Sequence, residues 1–293
     1  MLVAILLQLL VNGILLGTMY GIAAIGLSLI YGTMRILFLA QGAVMILVAY
    51  GCFWLFNLWA VDPYASMVII LPGSLIFGVV VYQLLFRKVA GAGQFHTLLI
   101  AFGLMVLLEN LMSVMFASNS RALRTAYSSY AFNVIGINIS FTRVVALAMA
   151  IMGTVLVTLF LKRTLLGKAV RAATESIENA MLVGITPHQV NTISFALGVG
   201  LAGVAGVATA TSYAFNPYSG FVFSLKAMIA LALGGMGNVV GALFGGIILG
   251  VVESYTSFFV GGGWADVFSY VVFLLVLMLK PEGLLTLDTS IKA

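Results

Sequence analysis

Charged residues cut this chain into long apolar intervals. None falls between Met1 and Met34, Ile36 and Val61, Pro63 and Phe86, Val144 and Leu161, Asn179 and Leu225, or Ala227 and Val252. A helix crossing the hydrocarbon layer needs about 20 predominantly apolar residues. The intervals therefore predict helices at 5–31, 36–60, 65–86, 142–161 and 190–213, and within 227–259. Two further segments, 97–117 around Glu109 and 265–280 after Asp266, complete the pattern. The apolar runs are continuous rather than alternating, which selects helices over barrel strands. The first run is too long for a cleaved signal peptide and lacks a basic flank.

The expected fold is all-α: one polytopic membrane bundle of about 8–9 transmembrane helices over 1–293, with one short or broken helix region. That region is Gly234-Gly235-Met236-Gly237-Asn238, which interrupts an apolar run soon after Lys226. The pattern leaves open whether 225–259 crosses twice or forms a re-entrant hairpin. Broken helices survive in a bilayer where protein or a water cavity satisfies the freed backbone, so Gly234, Gly235 and Asn238 become candidates for a translocation pathway. Elsewhere glycine marks helix contact. Gly13, Gly17 and Gly21 recur every four residues, as do Gly198, Ala202 and Gly206, Gly241 with Gly245, and Gly246 with Gly250. Small residues at this spacing let helix backbones approach closely in lipid.

Composition agrees. Only 7% of residues are charged and 63% are hydrophobic, with 32 glycines besides; an average soluble domain carries roughly 25% charged residues. The net charge of +5 is spread between apolar runs, so it points to no nucleic acid. With the loop 162–190 on the cytoplasmic side, alternation places Arg35, Arg87, Lys88, Lys162, Arg163, Lys168, Arg171, Lys280 and Lys292 inside. Arg121, Arg124, Arg143 and Lys226 fall outside. The excess of basic residues inside favours this orientation, with the N-terminus outside and the C-terminus cytoplasmic. The outer loop 118–141 carries Tyr127, Tyr130 and Phe132, suited to the interface.

Polar groups within the apolar runs are the candidates for chemistry. Asn12 and Gln41 read as packing groups or pathway lining. Glu109 either lines a solute or proton pathway with Asn110 or is a carboxylate held by a neighbouring helix. Glu253 reads as a helix-end residue. Cys52 is a lone buried thiol, His96 and His188 lie far apart, and Gly167-Lys168 lacks the glycine spacing of a phosphate loop. The chain is expected to bind no metal and no cofactor and not to be an enzyme.

The one long polar segment on the inner side carries more. Lys168 to Leu182 reads as an amphipathic helix with Val170, Ala173, Ile177 and Met181 on one stripe, a glycine stop at Gly184 and Pro187 beyond. Its cations precede its carboxylates, against the helix dipole. Such a helix is expected to dock on another protein or to lie on headgroups.

The run Gly167-Lys168-Ala169-Val170-Arg171-Ala172-Ala173-Thr174-Glu175, with Ala180, Leu182, Gly184 and Ile185, resembles the coupling segment of permeases of branched-chain amino acid ABC transporters. The resemblance extends through Asn12-Gly13, Leu16-Gly17, Tyr20, Ile25-Gly26, Tyr31-Gly32 and Ala40-Gln41-Gly42. It continues in Asn216-Pro217-Tyr218, Gly220, the Leu233–Asn238 run with Gly241 and Gly245-Gly246, and Lys280-Pro281-Glu282-Gly283-Leu284. Gln41 stands where relatives commonly have histidine. The resemblance implies a subunit of an ATP-driven importer in a bacterial inner membrane, working by alternating access. Its partners would be a second, usually different, permease chain, two cytoplasmic ATPase subunits, an extracytoplasmic solute-binding protein and membrane lipid. Gly167, Lys168, Arg171, Ala172, Glu175, Ala180 and Gly184 would serve contact with the ATPase. A secondary transporter or channel remains the alternative.

Overall fold

The computed structural model describes residues 2–89, 93–134, 137–280 and 283–284. Pro281, Glu282 and Lys292 lie outside the described residues. Among those described, eight helices are long and apolar enough to cross a membrane, and a ninth apolar helix, Ser219–Gly234, is shorter. The order is α1 (Leu2–Met34), α2 (Gln41–Trp59) and α3 (Met67–Val81), which continues through a π-helical turn (Tyr82–Phe86) into α4 (Arg87–Val89). Then come α5 (Gln94–Phe116), β1 (Ala131–Val134), β2 (Ile137–Ser140), α6 (Phe141–Arg163), α7 (Leu165–Glu175) and α8 (Ile177–Leu182). The chain closes with α9 (Pro187–Ser212), α10 (Ser219–Gly234), α11 (Val239–Phe259) and α12 (Ala265–Leu279). The question left at 225–259 resolves into a hairpin, α10 turning into α11.

The centre of the bundle is α1 and α9, both almost wholly buried, while α3 and α12 lie at its periphery. At 1.5 Å per residue the 33-residue α1 is about 50 Å long, against about 30 Å of hydrocarbon. Its first turns are exposed at Val3 and Leu7, and burial begins at Gly13.

Glycine decides the packing. A Cβ on Gly13 would lie 2.6 Å from the Cα of Val251, one on Gly17 2.6 Å from that of Ile247, and one on Gly245 2.7 Å from the Gly234 nitrogen. The Gly246–Gly250 pair of α11 thus faces Gly13, Gly17 and Gly21 of α1, while Gly241 and Gly245 face Gly234 and Ala230 of α10. Two glycine seams on different faces of the helix wedge α11 between its neighbours. Gly198 and Gly206 of α9 serve α1 and α2 in the same way.

Three details depart from the sequence expectation. Helix α2 starts at Gln41, not near 36: Arg35 takes φ 55° and the following residues re-enter the bundle as irregular chain, with Phe38 and Ala40 fully buried. Backbone groups freed there find Ser224, whose hydroxyl donates to the Leu39 carbonyl at 2.5 Å and accepts from the Gly42 N–H at 2.8 Å. The outer loop is not all irregular, since β1 and β2 pair antiparallel, Ala131 opposite Ser140 and Phe132 opposite Ile139. Gln8 at the start of α1 clasps this hairpin through both the N–H and the carbonyl of Asn138.

The third departure is in the amphipathic segment. It is two helices rather than one, broken at Ser176 (φ −156°, ψ 113°). The serine hydroxyl accepts from the Asn179 N–H and starts a new helix. Serine competes for backbone groups in this way, favouring caps over helix interiors.

Candidate functional site

The loop between α6 and α9 is built to hold a fixed shape. Thr164 donates to the Phe160 carbonyl at 2.8 Å and accepts from the Gly167 N–H at 2.9 Å, ending α6 and capping α7 with one hydroxyl. Gly167 is then pressed onto the last turn of α6, where a Cβ would lie 2.6 Å from the Cα of Leu161. At the far end Gly184 takes φ +84°. Its N–H bonds the Met181 carbonyl and that of Ile185 bonds Ala180, the paired arrangement of a Schellman stop. With the break at Ser176, Glu178 falls in the first turn of α8, where the dipole favours it. Lys168, in the first turn of α7, and Glu175, at its end, keep the unfavourable placement.

Val170, Ala173 and Ala180 turn inward and pack with Val190 of α9. Ile177 of α8 borders this cluster and Met181 faces out, so on α8 the inward face passes to Ala180 in place of Met181. Lys168, Arg171 and Glu175 are exposed and Ala172 is half-buried. Leu165, Leu182 and Val183 are also exposed, the first two at 85% and 86%, giving the outward face of the loop charged groups beside bare aliphatic ones.

Behind this face lies the foot of the α10–α11 hairpin. Gly235 and Gly237 both take positive φ (97° and 86°), and the Asn238 side chain accepts from the Gly241 N–H at 3.0 Å, capping α11. A cavity of about 210 Å³ separates the two features, lined by Ser28 and Leu29 of α1, Val170, Arg171, Thr174 and Glu175 of α7, and Gly237. Two sets of sequence candidates, the loop helix and the glycine break, therefore meet at one end of the bundle.

The remaining candidates are dispersed. Glu109 accepts from the Phe221 N–H at 3.1 Å, so its carboxylate sits at the N-terminus of α10, a placement that the helix dipole favours. Asn110 points away from it, exposed, and donates to Val106 in its own helix. Gln41 is fully buried, donating to the carbonyls of Ala23 and Gly198. Asn12 accepts from Arg143 at 3.4 Å, and the Arg143 guanidinium stacks over Tyr213. Between α5 and β1, Tyr127 donates to Asp62 at 2.9 Å; burial first, then the hydrogen bond to Asp62 and its charge, hold its hydroxyl well above the usual tyrosine range.

One cluster was not anticipated. Alternation placed Lys226 in an outer loop and Glu253 at a helix end. Lys226 is in fact buried within α10, where its ammonium donates to Glu253 of α11 at 2.7 Å, Asp266 of α12 at 2.9 Å and the Tyr20 hydroxyl of α1 at 3.2 Å. The signal available was the isolation of Lys226 between two charge-free runs, which makes a buried partner necessary. Among the described residues, no three His, Cys, Asp or Glu side chains gather to hold a metal.

Comparison with known proteins places these features in context. A family model described as the permease component of the branched-chain amino acid transport system matches residues 9–277. The high-affinity branched-chain amino acid transport system permease protein BraD of Pseudomonas aeruginosa is 30% identical over 292 residues, 95% of each chain. Its counterpart LivH of Escherichia coli K12 is 30% identical over 294 residues, again 95% of each. A more remote relative is the autoinducer 2 import system permease protein LsrC of Salmonella paratyphi B, 30% identical over 146 residues, 47% of this chain and 40% of that one. No solved structure matches.

Proposed function

The chain belongs to the branched-chain amino acid transport system permease family, and from that premise we propose that it is the membrane-spanning subunit of an ATP-driven importer for branched-chain or related small amino acids. Solute crosses by alternating access, and ATP is hydrolysed on separate chains. The observation that carries this reading is the rigid pair α7–α8, capped at Thr164, Ser176 and Gly184, seated against the foot of the α10–α11 hairpin.

An ATPase subunit docks on the outward face of that pair, touching Lys168, Arg171 and Glu175, with Leu165 and Leu182 seating in its cleft. Gly167, Ala172, Ala180 and Gly184 keep the pair thin and fixed, so that displacement reaches the hairpin foot at Gly234, Gly235 and Asn238. The side bearing α7–α8 is cytoplasmic and the β1–β2 hairpin faces out, the orientation that the excess of basic residues favours. A second permease chain completes the pathway, lined by Asn12 and Asn110 among others, while buried Gln41 and Glu109 hold the helices behind it, and an extracytoplasmic binding protein supplies solute. Energy passes only through contacts that differ between the two states.

The test is uptake of labelled leucine by vesicles holding the chain with its ATPase and permease partners, with and without ATP and binding protein. ATP-dependent uptake is expected, and Glu175→Lys should leave the complex assembled while lowering uptake per ATP hydrolysed about tenfold, the order of a typical coupling between sites. Uptake that follows an ion gradient without ATP would return the chain to the secondary-transporter class.

A further inference from the structure

Helix α12 is attached to the bundle in two different ways at its two ends. Beyond its last turn the chain folds back onto the foot of α10: the Leu284 N–H bonds the Leu233 carbonyl at 2.9 Å, and a Cβ on Gly283 would lie 2.6 Å from Gly235. That end is fixed by backbone. Near its first turn the attachment is a side chain, Asp266 to Lys226. Between these points α12 lays Tyr270, Phe273 and Val276, each half-buried, against the core, and Ala265 and Ser269 are its only fully covered positions among the described residues.

The ion cluster is asymmetric. Lys226 and Glu253 side chains are 7% and 14% exposed, whereas Asp266 is 48% exposed. All three ammonium N–H groups are engaged, by Tyr20, Glu253 and Asp266. Parting Lys226 from Glu253 would strand two buried charges, which is strongly unfavourable. Parting it from Asp266 leaves a neutral buried pair and a carboxylate that already lies half-exposed at the surface of the bundle. Glu253 also rides on α11, which the glycine seams lock to α1 and α10. The weak link is therefore Asp266.

We infer that α12 is a hinged arm, pivoting at Gly283–Leu284 and latched by the Lys226–Asp266 pair, and that Lys226 and Asp266 are positioning residues for alternating access. The inference rests on the transport reading for its purpose, though not for its geometry. Lys226 sits in the middle of α10, whose foot borders α7. A shift of the loop helices thus reaches the helix that holds the latch, and opening of the arm would part Asp266 from Lys226.

The experiment uses the complete transporter with Cys52→Ala, to remove the natural thiol, and Ser269→Cys as reporter, because Ser269 is fully buried on the bundle side of α12. Its rate of reaction with a membrane-permeant thiol reagent reads arm opening directly. Asp266→Asn should raise that rate about tenfold, as expected when an interaction closing a local opening is lost. Lys226→Arg, which keeps the charge, should hold the slow rate. Asp266→Asn should also lower uptake per ATP hydrolysed. Without any added latch substitution, trapping the ATPases with nucleotide and vanadate should change the Ser269→Cys rate by a similar factor, so the test survives a variant that fails to assemble. An unchanged rate in Asp266→Asn, or equal rates in both nucleotide states, overturns the latch. A rate that responds in a complex showing no ATP-driven uptake keeps the latch and removes the transport reading.

Discussion

Glu109 shows what a carboxylate does when a membrane chain spends one inside its bundle. The side chain is 9% exposed and receives the Phe221 N–H, so it supplies α10 with the acceptor that a soluble helix takes from a serine or aspartate cap. Truncation should therefore act on stability before transport. Glu109→Ala is expected to lower the stability of the detergent-purified chain by about 0.5–2 kcal/mol, while Glu109→Gln, which keeps a carbonyl acceptor, loses less. Thermal unfolding of the two variants side by side checks this. A Gln variant as stable as the parent but inactive in uptake would move the role of Glu109 from holding a helix to handling a proton or solute. Lys226 differs in kind, since removing it would leave Glu253 and Asp266 to repel each other in a poorly solvated place. The sequence pattern marked Glu109 but set Lys226 outside, because the partners of Lys226 lie far along the chain on α1, α11 and α12, and no local pattern names such a contact.

At the scale of elements the packing is set by absence of side chains. Gly17→Val should fail where most apolar substitutions in a membrane helix pass, because its first added carbon already collides with the Ile247 backbone. Overpacking of this kind costs about 1–3 kcal/mol and more where backbone must shift. The expected result is loss of folded chain on size-exclusion chromatography, with Gly103→Val as the control. Gly103 lies in the middle of α5 and a Cβ there would meet nothing within 4 Å. These seams were legible in the four-residue spacing of Gly13, Gly17 and Gly21, as were the long helices in the charge-free intervals. The start of α2 was not, because Ile36, Leu37, Phe38 and Leu39 are as apolar as a helix and only Ser224, far along the chain, makes an irregular backbone tolerable there. The β1–β2 hairpin escaped notice for a related reason: its strands are four residues each and have no apolar run behind them. In the α7–α8 segment the apolar stripe outweighed Ser176, whose capping bond is as local a signal as any in the chain.

The whole molecule is polarised. One end gathers α7, α8 and the glycine foot of the α10–α11 hairpin; the other gathers the start of α1, the β1–β2 hairpin and the Asp62–Tyr127 pair. With Lys226 drawn into the interior, the outer side keeps Arg121, Arg124 and Arg143, and two of these are engaged internally. Arg121 lies over the rings of Phe53 and Trp54, and Arg143 over Tyr213. The basic residues that stood against the proposed orientation are thus partly withdrawn from the competition that sets topology. In sealed cells lacking Cys52, a membrane-impermeant thiol reagent applied from outside should label Asn133→Cys in β1 and spare Lys168→Cys in α7. The reverse pattern would invert the assignment of sides.

The seams between α1, α10 and α11 have a thermodynamic corollary. Freezing a long side chain at an interface forfeits up to about 2 kcal/mol of rotamer freedom, and glycine has none to forfeit. Helices that have already formed in the bilayer can therefore dock along Gly13–Gly17–Gly21 and Gly246–Gly250 with little entropic penalty from side chains. Their association then depends chiefly on dispersion and backbone fit, so these three helices should stay together on warming while the side-chain-rich periphery around α5 and α12 loosens first.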